Sequence, residues 1–362
     1  HSFPTQRSSD LRNAEGKRLC PGPQKHAFSG RLHALRRSLS RNRHDFLMSP
    51  TPLPTDPEVD EPQDEQESPP PACVLCFNAS DASGAGGLAG DVATIAAMGA
   101  HCLPVVTAVV LRDTAEVFEH ENLDPDTVAE QARHILEDVP ITAWKVGFLG
   151  NAEAVAAVAE VLSDYPDVPL VTYLPSVAWI DEDEQQSYLD AVRELVLPQT
   201  AVLVGNHKTM TDFLLPDWDN ERAPSARELA VAAAQAGAQH VLVTGIQLPN
   251  QYVDNVLANA QGPITGEKFE RFETSFIGSG DTLAAALAAL LSVGAELHSA
   301  VSEALSFLDQ SLDAGFRPGM GNVIPDRFFW ALPAADEEGG EPPDFEPDPE
   351  PEQAPKTPRR MH

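Results

Sequence analysis

CVLCFNASDASGAGGLAGDVATIAAMGAHCLPVVTAVV, residues 73–110, decides the fold class. Its first six residues, Cys73 to Asn78, are an apolar run too short for a typical helix. A glycine-rich segment follows, and then a helix-like stretch over 86–100. The run 104–110, PVVTAVV, is rich in β-branched residues, which suit a pleated, half-buried surface. The stretch therefore reads as strand, glycine turn, helix and strand.

Outward from it the alternation continues. Helical runs at 126–138, 152–162, 185–196 and 225–236 each precede a strand run: ITAWKVGF (141–148), VPLVTYL (168–174), TAVLVGN (200–206) and HVLVTG (240–245). Helices over 281–293 and about 298–314 close the pattern. Strands alternating with helices of this length predict an α/β fold, a mostly parallel central sheet flanked by helices. In such sheets ligands bind beyond the carboxyl ends of the strands. The residues there are Asn78, Ser80 and Asp81, then Gly147, Asn206, Thr244 and Gly245. Each is also an ordinary turn residue; their shared location is the signal.

The 362 residues hold 24 Lys plus Arg against 55 Asp plus Glu, a net charge of -31. That balance argues against nucleic acid as a partner, since phosphate binding rests on Lys and Arg. A hydrophobic fraction of 42% is ample for a large core. Four cysteines, Cys20, Cys73, Cys76 and Cys102, are too few for a disulfide framework and fit a reducing, cytoplasmic setting. No run of about 20 apolar residues exists, so neither a membrane span nor a membrane partner is expected. Nor does a basic start lead into an apolar run, so secretion is not expected.

The charge is unevenly placed. Residues 1–47 carry +7, residues 48–71 carry -7, residues 72–333 carry -25 and residues 334–362 carry -6. The basic head, 1–47, is expected to be non-native or disordered rather than a nucleic-acid or membrane arm. The chain opens with His, HSFPTQRSSDL reads like a translated adapter oligonucleotide, and Met48 is the expected start. Segments 48–71 and 334–362 are acidic and proline-rich and are expected to be disordered, since they have too little apolar surface to offset the entropy of ordering. One folded domain over 72–333 remains.

Two motifs carry chemistry. In FIGSGDTLAAALAALL (276–291), Gly278, Ser279 and Gly280 precede a strongly helical run. Glycines let successive N–H groups converge, and the helix N-terminus adds positive partial charge, so an anion is stabilised there. Asp281 is either a helix cap or a base that takes a proton from an attacking hydroxyl. The second motif, NASDASGAGGLAGD (78–91), lacks the P-loop lysine and the dinucleotide glycine spacing. Its Asp91 is either a solvated helix residue or a carboxylate aimed at a ligand. Cys73 and Cys76, three apart on a strand, face opposite sides and do not share a metal. The sequon Asn78-Ala79-Ser80 is read as chance, and the histidines show no metal-binding spacing.

VLCFNASDASGAGGLAGDVATIAAMGAHCLPVVTAVVLRDT (74–114) resembles the start of the hydroxymethylpyrimidine/phosphomethylpyrimidine kinases, members of the ribokinase-like superfamily. WKVGFLG (144–150), GSGDTLAAALAALL and GMGNVIP (319–325) follow in that family's order. The resemblance implies a ribokinase-like three-layer sandwich, with ATP and Mg²⁺ used to phosphorylate the hydroxymethyl group of 4-amino-5-hydroxymethyl-2-methylpyrimidine in thiamine biosynthesis; action on its monophosphate is left open. It implies Gly278, Ser279 and Gly280 as the anion hole and Asp281 as the base. Ala79, Asp91, Arg112 and Phe148 would meet the pyrimidine; Asn206, Lys208, Thr244 and Gly245 would meet the nucleotide. Metal ligands are not assigned, and a homodimer is left open.

Departures from the family bear on this picture. Asp281 stands where the family usually has Cys, Arg112 where it has Gln, Ala79 where it has Gly and Phe148 where it has Met. Tyr173 and Thr209 stand where acids are usual. Two alternatives follow: a pyridoxal/pyridoxine kinase, from Asp281 and the altered ring readers, and a non-catalytic pyrimidine-binding sensor, from the lost acids.

Overall fold

The computed structural model describes residues 70–331. The expectations for 1–47, for 48–69 and for 334–362 fall on residues outside that range. The elements are β1 (Cys73–Asp81), α1 (Gly87–Ala97), β2 (His101–Arg112), β3 (Val117–Asn122), α2 (Pro125–Leu136), β4 (Ala143–Val146) and α3 (Ala152–Ser163). They continue with β5 (Leu170–Tyr173), α4 (Glu182–Ala191), β6 (Val202–Asn206), α5 (His207–Leu214), α6 (Ala226–Gln235) and β7 (His240–Gln247). Last come β8 (Tyr252–Asn259), β9 (Gly262–Glu270), α7 (Ser279–Ser292) and α8 (Leu297–Asp313).

The strands form one nine-stranded sheet in the order β3-β2-β1-β4-β5-β6-β7-β8-β9. From β2 to β7 every pairing is parallel, while β3, β8 and β9 add antiparallel edges. Helices α1, α7 and α8 pack together on one face, with α7 crossing β1, β4, β5 and β6. The chain α2, α3, α4, α5 and α6 covers the other. The outcome is the α/β sandwich with a mostly parallel sheet that the alternation predicts.

Local chemistry explains the helix starts. Asp124 and Asn151 cap α2 and α3 through side-chain oxygens that accept from Thr127 N and Ala154 N. Ser225 and Glu228 form a capping box at α6, and Arg222 holds Glu228 from outside. Helix α7 is buried almost all round because its alanines allow the sheet and α8 to close on it from two sides.

Four elements escape the sequence reading: β3, α5, β8 and β9. Strands β3 and β9 lie at sheet edges and have mostly exposed side chains, so VFEHEN and GPITGEKFE show no apolar alternation. Helix α5 has eight residues and buries only Met210 and Phe213. The run 185–196 is helical, with a π-turn over Val192–Val196 at its end.

Alternation in the central strands sets up the site. Trp144 and Val146 of β4 face the apolar core with Leu75 and Phe77 of β1. Lys145, between them in sequence, faces α7 instead, as does Asn78 of β1. A register shift between Asn78 and Ser80 in the β1–β2 pairing marks a bulge where β1 enters the site.

Candidate active site

A cavity of about 440 Å³ opens at the carboxyl ends of β1, β5, β6 and β7. Its floor is the start of α7, with Gly278, Ser279, Gly280 and Asp281; Ala79, Arg112 and Phe148 line it together with Trp179. A second cavity of about 600 Å³ adjoins it, sharing Thr244, Phe276, Ser279 and Leu308, and holds Gly245 in its wall. The two cavities thus meet at the head of α7.

Gly278 takes the left-handed φ of 80°. A Cβ there would overlap the Ala85 carbonyl oxygen, so the turn requires glycine. Gly280 meets a different neighbour, because its missing side chain leaves room for the Tyr173 ring. Thr282 N donates to Gly278 O at 3.0 Å. The N–H groups of Ser279, Gly280 and Asp281 therefore head the helix without intrahelical acceptors, which favours an anion.

Asp281 does not cap α7, for the helix has no side-chain cap at all. Its Oδ1 instead accepts from Lys145 Nζ at 2.7 Å and from Asn78 Nδ2 at 2.8 Å, and its Oδ2 accepts from Gly87 N at 3.2 Å. The side chain retains 14% exposure, toward the cavity. One carboxylate oxygen is thus held by two side chains, and the other keeps room for a further hydrogen bond.

Asp91 is fully buried and does not line either cavity. It is not solvated, and it stands behind the cavity wall instead of in it, where the resemblance would have it meet the pyrimidine: Lys145 Nζ lies 2.8 Å from its Oδ1, and Asn78 Nδ2 donates to its Oδ2 at 2.9 Å. The physical reason is the position of β4, which inserts Lys145 between α1 and α7. Burial pushes the Asp91 carboxyl up to about 6, with Asp281 adding to the rise and Lys145 opposing it. Burial works against the Lys145 charge, but Asp281 and Asp91 outweigh it and hold the ammonium above the usual amine range. Burial, and then Asp281, likewise raise the Tyr173 phenol above its ordinary value.

Asn78 Oδ1 accepts from Ala79 N at 2.9 Å and Phe148 N at 3.0 Å, which fixes the amide so that its nitrogen faces both carboxylates. A Cβ at Gly147 would clash with this side chain. The strand-end rule had named Asn78 and Gly147 as candidates, but not their contact. Nothing in the sequence reading paired Lys145 with the two aspartates, although WKV places a lone charge in an apolar strand, which was the available signal.

The end of the cavity toward Phe148 is aromatic. Phe148 and Trp179 meet edge to face at 5.4 Å, and His120 packs on both at 5.3 and 5.1 Å. Arg112 lies 3.7 Å from Asp81 within the same wall. Of the nucleotide candidates, Asn206 and Thr244 line the first cavity and Gly245 the second. Lys208 lines neither: its side chain is 85% exposed, and its ammonium pairs with Asp212 at 2.6 Å along α5.

Mg²⁺, which the resemblance implies, finds no ready cage. Asn206 commits its side chain to Thr209, accepting from its N and donating to its hydroxyl, and Asp212 is paired with Lys208. Among the described residues no three His, Cys, Asp or Glu side chains gather. The residues present do not fit a protein-built magnesium site.

The site lies on an α/β sandwich in which a glycine-led helix is aimed at the carboxyl edge of a mostly parallel sheet, an arrangement shared with the ribokinase-like fold. Solved structures agree on the fold: the chain is similar to a Bacillus subtilis pyridoxal kinase in an ADP complex, with a TM-score of 0.66 and 21% identity over 73% of this chain and 100% of that one. It is similar also to a phosphomethylpyrimidine kinase of Clostridium difficile 630, with a TM-score of 0.55 and 21% identity over 67% and 99% of the two chains. The phosphomethylpyrimidine kinase family model matches residues 81–326, and the chain belongs to that family. Among relatives, a hydroxymethylpyrimidine/phosphomethylpyrimidine kinase of Streptomyces coelicolor is 30% identical over 264 residues, 72% of this chain and 96% of the relative. A chloroplastic thiamine biosynthetic bifunctional enzyme of Arabidopsis thaliana is 31% identical over 247 residues. That match takes in 66% of this chain and only 46% of the plant enzyme. Within the described residues no helix is long and apolar enough to cross a membrane.

Proposed function

We propose that residues 72–333 act as one kinase domain that transfers the γ-phosphoryl group of ATP to the hydroxymethyl oxygen of 4-amino-5-hydroxymethyl-2-methylpyrimidine, a thiamine precursor. The observation that carries this reading is the meeting of Asp281 with the free N–H groups of α7 at the junction of two cavities. One cavity, walled by Phe148 and Trp179, suits a planar ring; the other suits the nucleotide.

In this reading the substrate hydroxyl approaches Asp281 Oδ2. Its oxygen attacks the γ-phosphorus as its proton passes to the carboxylate, and the bond to the ADP oxygen breaks. Ser279, Gly280 and Asp281 donate N–H groups to the phosphoryl oxygens. Lys145 and Asn78 hold Asp281 in place, Thr244 and Gly245 border the nucleotide, Ala79 and Arg112 border the pyrimidine, and Asn206 stays in the wall of the first cavity. Mg²⁺ would enter with ATP and would offset the charge of its phosphates, since the described residues gather no acid cluster to hold it. The free thiols Cys73, Cys76 and Cys102 fit a reducing compartment such as the cytoplasm.

A second reading, a pyridoxal or pyridoxine kinase, is favoured by Arg112, whose guanidinium donates only, where an aminopyrimidine edge also needs an acceptor. Purified protein assayed with ATP and each alcohol in turn tests both. Faster phosphorylation of the pyrimidine is expected, and preference for pyridoxine or pyridoxal would replace the first reading with the second. Pyrimidine binding by calorimetry without ATP turnover would replace both with a sensor.

A further inference from the structure

We infer that Arg327 is a positioning residue of the anion site: a buried cation behind the head of α7 that fixes the glycine turn and biases the site toward phosphate. Arg327 is 5% exposed and sits on the segment that follows α8. That segment runs beside 275–277, with Ile277 N donating to Val323 O at 3.0 Å and Val323 N donating to Ser275 O at 3.0 Å. It delivers the guanidinium beneath the loop that leads into α7.

The guanidinium makes three contacts there. Nε donates to Thr282 Oγ1 at 3.1 Å, Nη1 to Gly84 O at 3.3 Å, and Nη2 to the Ala85 carbonyl. Thr282 Oγ1 passes its own hydrogen to Gly278 O at 2.8 Å. One side chain thus ties the 84–87 turn, whose Gly87 N holds Asp281, to the first turn of α7. Two glycines make room for it, since a Cβ at Gly90 or Gly278 would stand 2.9 or 3.0 Å from Arg327 Nη2.

Among the described residues no carboxylate pairs with Arg327; its partners are two carbonyls and a hydroxyl. Asp281, Asp91, Asp81 and Asp326 act on it only across space. A buried charge without an ion-pair partner is costly, and this one adds to the positive end of α7 on the side away from the cavity. A polyanion arriving at Ser279 and Gly280 adds negative charge within that field and is favoured by it. Arg327 touches no reacting atom and acts through Gly278, Thr282 and the field it sets up.

The inference rests on the phosphoryl-transfer reading, and binding measurements separate the two. Calorimetry with ADP and with adenosine on the wild type, Arg327→Met and Arg327→Lys needs no turnover. Arg327→Met should lose about tenfold in ADP affinity while adenosine affinity stays within about twofold. Arg327→Lys, which keeps the charge and loses the fork, should recover most of the ADP affinity and less of kcat. Equal losses for ADP and adenosine, or ADP affinity and kcat both within about twofold of wild type in Arg327→Met, would overturn the inference. A wild type that binds ADP more tightly than adenosine yet phosphorylates neither alcohol would sink the kinase reading and leave this one standing if the variants behave as stated.

Discussion

The ammonium of Lys145 lies 2.7 Å from the Asp281 carboxylate and has no solvent exposure of its own. Strand β4 and helix α7, which carry the two residues, are far apart in the chain, and their contact turns a residue that could have capped a helix into a held carboxylate facing the cavity. A second carboxylate, Asp91, shares the same ammonium from the other side.

Asp281→Asn keeps the shape of the side chain and removes its capacity to take a proton. Turnover should fall by at least about 10²-fold with nucleotide affinity retained. Steady-state kinetics beside ADP calorimetry check this, and unchanged kcat would remove Asp281 from the role of base.

Lys145→Met leaves two carboxylates facing each other without their cation. Loss of one partner from a buried ion pair typically costs about 3–5 kcal/mol, and the same range is expected here. Urea melts provide the measurement. Adding Asp91→Asn should recover part of the loss, because it removes one of the stranded charges.

Asp91 also predicts a pH dependence. Its folded-state value, pushed up to about 6 from an ordinary 3.8, means the folded protein holds a proton that the unfolded chain has released between those limits. Stability from this group is fully present below about pH 4 and is lost as pH rises through about 6. The stability of wild type relative to Asp91→Asn should therefore fall across that window. A difference that grows with pH would contradict the assignment.

Gly280→Ala places a methyl against the Tyr173 ring and should reduce both stability and activity. Tyr173→Ser opens that space, so the double variant should be more stable than the sum of the single effects predicts, by about 0.5–3 kcal/mol. Additive losses would mean that the ring and the glycine do not touch in solution.

Arg112→Gln restores the residue usual in the family, with both a donor and an acceptor. The ratio of kcat/KM for the pyrimidine alcohol to that for pyridoxine should rise by about tenfold, the discrimination typical of one hydrogen bond. Competition assays with both alcohols would read it, and an unmoved ratio would take Arg112 out of ring selection.

The sequence by itself determined the α/β class, because β-branched runs such as PVVTAVV and helical runs such as LAAALAALL declare their periods locally. It also singled out the glycine turn at 278–280, because glycines directly before a helical run mark a tight backbone turn, and the strand-end rule pointed to Asn78 and Gly147. Strands β3 and β9 were silent because edge strands bury too little to need an apolar pattern. Arg327 was silent, and the partners of Lys145 and Asp91 unreadable, for a different reason. A charge is read locally as solvated, and whether it is buried depends on which distant element closes over it. Tertiary structure alone decided that Lys145 joins Asp91 to Asp281, that Lys208 stays outside and that Arg327 backs the anion site, since each follows from strand order and helix packing and not from spacing along the chain.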